Sequence, residues 1–240
     1  MGRTALVTGG TRGIGAAICR ALKEDGFTVV ANYVGSDERA RAFSDDTGIP
    51  VRKWNVADHQ ACLDHVREIE AEFGPVDVLV NNAGITRDAT LMRMTPEQWQ
   101  EVIDVNLGGC FHMAKACFPG MRERKYGRII NIGSINGQAG QMGQVNYCAA
   151  KAGMKGFTKA LALEGARYCV TVNEVAPGYT DTDMVAAVPA NVLEGIIAKI
   201  PIGRLGRAEE IGRAVAFLAD EKAGFITGSV VSVNGGQNMY

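Results

Sequence analysis

Neither sign of charge is in excess in this chain: 25 Lys and Arg stand against 26 Asp and Glu, a formal net charge of −1 over 240 residues. A nucleic-acid binder carries a basic surplus, and an acidic tail seeks a basic partner; neither is present. Long apolar runs are missing too, so no membrane span and no membrane partner are expected. The opening MGRTALVTGG reaches a turn at residue 9, too early for a signal peptide, and a cytoplasmic chain is expected. Histidine is scarce. His59, His65 and His112 do not cluster with the six cysteines at 19, 62, 110, 117, 148 and 169, and no two cysteines have C-x-x-C spacing. No metal site is therefore expected, and the thiols read as reduced small residues of core or surface. Repeats, low-complexity tracts and linkers are also absent.

What is present is a composition that can fold. Hydrophobic residues make up 47% and charged residues 21%, enough for a real core under a soluble surface. Short Val- and Ile-rich runs bounded by Gly, Asn or Pro read as strands: TALVTG, FTVVANY, VRKWNV, VDVLVNNAG, GRIINIGS, VTVNEVAPG and GSVVSVNGG. Longer amphipathic stretches alternate with them, among them GIGAAICRALKEDG, DHQACLDHVREIEAEFG and TPEQWQEVIDVNLGGCFHMAKACFPGMRERK. Regular β-α alternation predicts an α/β fold. The expected form is a doubly wound parallel sheet of the Rossmann kind, with about seven strands and helices on both faces. One domain over 1–240 is expected. The stretch 177–206 has no strand of its own and reads as a substrate lid with a helix near VPANVLEGIIAKI.

Ligands of such sheets bind beyond the C-terminal strand ends. The first of those loops, TGGTRGIG, joins a strand to a helix start. Gly9 can make the tight turn, Gly13 can admit a pyrophosphate, and Gly15 can let the helix pack on the sheet. The spacing is G-x-x-x-G-x-G rather than G-x-G-x-x-G. An acidic residue that would bond a ribose 2′-hydroxyl is missing from the end of the second strand, where Ala31, Asn32 and Tyr33 stand. Arg12 lies within the glycine loop and Arg39 follows the strand. That favours a 2′-phosphate, and so NADPH over NADH.

A second constellation is QVNYCAAKAG, residues 144–153. Tyr147 and Lys151 are four apart and share a helix face, with little bulk beside them. A free phenol has a pKa near ~10, and bringing one to neutrality takes roughly 4 kcal/mol of differential interaction. A neighbouring ammonium supplies an interaction of that sign. Ser134, at the end of a strand, adds a hydroxyl near the pair.

TGGTRGIG, NNAG (81–84), Asn106, Ser134, YCAAK (147–151) and PG (177–178), in that order and over the whole chain, resemble the short-chain dehydrogenase/reductase family. The resemblance implies a general acid in Tyr147, a carbonyl-binding hydroxyl in Ser134, a ribose-holding and tuning cation in Lys151, and in Asn106 a helix residue positioning a relay water. It implies cofactor contacts from Gly9, Thr11, Arg12, Gly13, Ile14, Gly15, Arg39, Asn55, Val56, Asn81, Ala83, Gly84, Pro177, Gly178, Thr180 and Thr182, besides Tyr147 and Lys151. Three positions depart from the family pattern: Gly133 before Ser134, Cys148 after Tyr147, and Glu174 on a strand where a small or apolar residue is usual.

Within the family, NNAGITRD, SINGQAGQMGQVNY, APGYTDTDM and VNGGQNM look most like acetoacetyl-CoA reductases of polyhydroxybutyrate synthesis, and next like 3-oxoacyl-acyl-carrier-protein reductases. The first likeness implies an acyl-CoA substrate, contacts to it from Gln141, Met142, Gln144 and Tyr179, and a homotetramer. Gln138 belongs to the same loop. The basic run Arg122, Arg124, Lys125 and Arg128 leaves an acidic carrier protein open as the alternative. A chain of this fold that senses cofactor without chemistry is the alternative of another class.

Overall fold

In the computed structural model, which describes residues 2–182 and 190–239, seven strands form one sheet in the order β3-β2-β1-β4-β5-β6-β7. They are β1 (Thr4–Val7), β2 (Thr28–Tyr33), β3 (Val51–Lys53), β4 (Val76–Asn81), β5 (Gly127–Ile132), β6 (Val170–Pro177) and β7 (Val230–Val233), and every pairing is parallel. Chain order reverses between β1 and β4, which opens a crevice at their C-terminal ends.

The strands alternate with period two, and each face covers its own core. Ala5, Val7, Val78, Val80, Ile130 and Val175 point to one face. There they meet Ile18 and Leu22 of α1 (Gly13–Glu24) and Ile211 and Val215 of α9 (Ala208–Ala219). Leu6, Leu79, Ile129 and Val172 point to the other face. They pack against Cys62, Val66 and Ile69 of α3 (His59–Phe73), Met113, Cys117 and Met121 of α5 (Gly109–Arg124), and Ala162 of α7 (Val145–Ala166). Among the described residues the other α-helices are α2 (Asp37–Thr47), α4 (Pro96–Ile103), α6 (Asn136–Ala139) and α8 (Ala190–Ile197).

Two features differ from the expected pattern. The long helix expected over 95–125 is interrupted by a π turn, Asp104–Gly108, and a four-residue helix, α6, breaks the loop after β5. Of the expected lid, residues 183–189 lie outside the described residues, and α8 lies within its remainder. Among the described residues no helix is long and apolar enough to cross a membrane.

Candidate active site

A cavity of about 570 Å³ opens at the crevice, lined from the β1–α1 turn, the loops after β4, β5 and β6, the start of α7, and α8. At one end is the glycine turn. Gly9 and Gly13 have positive φ, 62° and 50°, which a glycine adopts without strain. A Cβ at Gly13 would meet only Thr182, at 3.6 Å, so the backbone is open toward the cavity. A Cβ at Gly15 would overlap the Gly9 carbonyl oxygen, so Gly15 closes the turn. Helix α1 starts after Arg12 with no side-chain cap and no acidic residue in its first turn. Its first N–H groups and the positive end of its dipole are offered to an anion. The residues present thus fit the diphosphate of a dinucleotide.

Asn82 fastens the turn to β4. Its Nδ2 donates to the carbonyls of Thr8 (2.9 Å) and Gly9 (3.1 Å). The Thr8 hydroxyl accepts from the amides of Asn82 and Ala83, both at 3.0 Å. Asn82 lines the cavity, whereas Asn81 is buried behind it and donates to Asn131 Oδ1 at 2.8 Å. In NNAG it is therefore the second asparagine that faces the cavity.

In the middle of the cavity are Ser134, Tyr147 and Lys151. Lys151 is 3% exposed, and its ammonium donates to the Ile132 carbonyl at 2.6 Å. An ammonium has three donors, so two remain for groups in the cavity. Its Nζ lies 5.6 Å from the centre of the Tyr147 ring. The Ser134 hydroxyl accepts from the Asn136 amide at 3.1 Å, which leaves its own proton to donate. Gly137 of α6 lies so close to α7 that a Cβ there would be 2.7 Å from Lys151 Cβ, so α6 braces the loop of Ser134 against the helix of Lys151.

Asn106 sits on the π turn and is fully buried. Its Oδ1 accepts from the Ile85 amide (2.8 Å) and its Nδ2 donates to the Ile85 carbonyl (3.0 Å). Both functions of the side chain thus hold the loop after β4. Asn146, which was not singled out from the sequence, does the same one residue before Tyr147. Its Nδ2 donates to the carbonyls of Arg87 (3.0 Å) and Gln98 (3.1 Å), and its Oδ1 accepts from the Tyr147 amide (2.8 Å). A polar residue at the buried entry to the helix was the available signal.

Gln141, Met142, Gln144 and Tyr179 line the other end, together with Thr86, Asp88, Val192 and Ile196. Gln144 is engaged: it donates to Asp88 (2.8 Å) and accepts from Asn136 (2.9 Å). Gln138 turns away to Ser232 (3.1 Å) and Asn238 (3.0 Å). Burial, and then the Asp88 carboxylate, push the Tyr179 phenol above its ordinary range. Among the expected cofactor contacts, Gly9, Arg12, Gly13, Ile14, Gly15, Ala83, Gly84, Pro177, Gly178, Thr180 and Thr182 lie on the cavity wall; Thr11, Arg39, Asn55, Val56 and Asn81 do not. Asn55 instead accepts from the Ala57 amide at 3.0 Å, and Val56 is buried against Gly109.

Comparison with known proteins is consistent over nearly the full length. A family model described as enoyl-(acyl carrier protein) reductase matches residues 9–238. The chain is similar to an acetoacetyl-CoA reductase of Rhizobium meliloti (strain 1021), 63% identical over 238 residues, and to one of Paracoccus denitrificans, 61% identical over 239; each alignment covers 99% of both chains. It is 48% identical over 240 residues to the 3-oxoacyl-(acyl-carrier-protein) reductase FabG of Escherichia coli (strain K12), covering 99% of this chain and 98% of that one.

Proposed function

The chain belongs to the short-chain dehydrogenase/reductase family, and on that premise we propose that it reduces acetoacetyl-CoA to (R)-3-hydroxybutyryl-CoA with NADPH, a product suited to polyhydroxybutyrate synthesis. One observation carries the proposal: a single cavity joins a diphosphate-binding turn, the Ser134, Tyr147 and Lys151 side chains, and an amide- and aromatic-lined end.

When bound, the reduced nicotinamide supplies a hydride to the 3-oxo carbon. Ser134 donates a hydrogen bond to the carbonyl oxygen and holds it where charge develops. Tyr147 donates its phenolic proton to that oxygen as the C–O bond becomes an alkoxide. Lys151, with donors free beside its bond to Ile132, holds the nicotinamide ribose and stabilises the phenolate left on Tyr147. Asn106 and Asn146 fix the loop after β4 and the entry of α7, so the three groups stay in register. Arg12 is exposed on the cavity rim beside the glycine turn and is read as the partner of a 2′-phosphate. Gln141 and Tyr179 are read as contacts to the thioester arm, and α8 brings Val192 and Ile196 over it as part of a substrate cover.

The acyl-CoA is favoured over the carrier-protein thioester for a second reason. The basic run that could serve a carrier is largely engaged. Arg122 donates to the Tyr168 hydroxyl (2.8 Å), Arg124 to the Val76 carbonyl (2.9 Å), and Arg128 is 3% exposed. We further read the chain as a cytoplasmic homotetramer in one domain. The exposed Phe111, Leu163, Phe217 and Phe225 support association. The test is NADPH consumption with acetoacetyl-CoA and with the acetoacetyl carrier-protein thioester, side by side. Faster turnover of the carrier thioester would make the carrier reductase the correct assignment. No turnover of either, with cofactor still bound, would favour the sensor.

A further inference from the structure

Glu174 is a carboxyl in the middle of the sheet. It lies on β6 between Asn131 of β5 and Val230 of β7, and it is 0% exposed. Neither carboxyl oxygen has a hydrogen-bond partner among the described residues. Such a group is expensive to bury, so a sequence that keeps one there calls for an explanation. Burial pushes it up to about 7, against the opposing fields of Lys155, Lys151 and Lys159 on α7.

The carboxyl rests on the backbone of Gly133. A Cβ at position 133 would overlap Oε1 of Glu174 and lie 2.6 Å from its Cδ and 2.9 Å from its Cγ. Gly133 has an ordinary φ, so the reason for glycine here is space and not conformation. The contact falls at a sensitive point. Ile132, on one side, gives its carbonyl to the Lys151 ammonium, and Ser134 follows on the other. The Gly133 amide also donates to the Val175 carbonyl at 2.8 Å, next along the strand from Glu174. Two of the three positions at which the chain departs from its family pattern, Gly133 and Glu174, therefore touch each other directly beside the reacting groups.

We propose that Glu174 is a positioning residue for Ser134: its carboxyl takes the volume of a side chain at position 133 and sets how the Ile132–Ser134 backbone lies against Lys151. The inference rests on the reading of Ser134 as the carbonyl-binding group. It assigns Glu174 no contact with substrate or cofactor.

Reciprocal substitutions test it. Gly133→Ala forces the carboxyl and the backbone apart. Its kcat should fall about tenfold or more, with the KM for NADPH little changed, because a displacement well under an ångström at the reacting centre is felt in rate. Glu174→Ala leaves the space beside Gly133 unfilled and should also lower kcat. The double variant, whose new methyl occupies part of that space, should exceed Gly133→Ala by about fivefold or more, a non-additivity expected only of residues in contact. Glu174→Gln keeps the volume and should retain kcat within about threefold of the wild type, as expected where packing and not charge acts. The same cycle read as urea midpoints needs no substrate, so it registers the contact even if acetoacetyl-CoA is the wrong substrate. The proposal is overturned if Gly133→Ala keeps wild-type kcat, or if the double variant is no better than Gly133→Ala in both kcat and stability.

Discussion

Tyr147 lines the cavity with the Lys151 ammonium 5.6 Å from its ring centre. If the phenol gives the proton to the alkoxide, Tyr147→Phe should keep NADPH binding and lower kcat by about 10²-fold or more, the usual loss for a missing general acid. Stopped-flow turnover beside a cofactor-fluorescence titration separates the two, and near-normal turnover would remove Tyr147 from the role. Arg12 makes the other residue-scale claim. It precedes the uncapped start of α1, where a 2′-phosphate has no other described cation on the cavity wall but the deeper Lys151. Arg12→Ala should raise the KM for NADPH about tenfold, in line with a charge-assisted bond of roughly 1.5–3 kcal/mol, and leave that for NADH nearly unchanged. Equal effects on both cofactors would mean that Arg12 serves the fold or the common diphosphate instead.

Elements were the most legible part of the sequence. Short Val- and Ile-bearing runs bounded by glycine, asparagine or proline placed all seven strands; β1, β2, β4, β5 and β6 are largely buried, and the edge strands β3 and β7 only partly. The glycine turn, Ser134, Tyr147 and Lys151 were legible for the same reason: each belongs to a local pattern of strand end, turn or helix face. The π turn at Asp104–Gly108 was not, because its register answers to a distant partner. Asn106 reaches Ile85, 21 residues earlier, with both ends of its amide. Nor could spacing tell Asn81 from Asn82, since the choice depends on Asn131 being opposite Asn81 in the β4–β5 register. Arg39, Asn55 and Val56 lie off the cavity wall because the start of α2 and the loop after β3, not the strand ends themselves, decide where they lie. The clamp itself is testable. Asn106→Ala strands the amide and carbonyl of Ile85, which should destabilise the chain by about 1–3 kcal/mol. It should also lower kcat, since the loop carrying Gly84 would lose its anchor. Unchanged urea midpoints together with unchanged kcat would show that the loop holds itself.

The whole molecule inherits a pH dependence from one buried group. Glu174 has its carboxyl raised from 4.5 to about 7, chiefly by burial. The charged groups on the helix packed against it are Lys151, Lys155 and Lys159 of α7; Cys110 of α5 is close enough to respond to its charge. The sign follows from proton counting. Below 4.5 the carboxyl is protonated in both states and its contribution is complete. Between 4.5 and 7 the unfolded chain releases the proton first and the native state holds it, so stability falls as pH rises. Above 7 both states are ionised and the loss is constant, at about 3 kcal/mol. An acid-side optimum from this group runs against the usual carboxylate, whose folded value is lowered and whose contribution vanishes in acid. Other groups titrate in the same range, so the wild type alone cannot isolate the effect. The difference between Glu174→Gln and wild type can, because the rest of the molecule cancels. Urea unfolding at fixed ionic strength should find the variant's advantage larger at pH 8 than at pH 5 by up to about 3 kcal/mol, the amount set by the shift. A pH-independent difference would mean that the Glu174 carboxylate is hydrated or paired in solution, and that the space beside Gly133 is not closed.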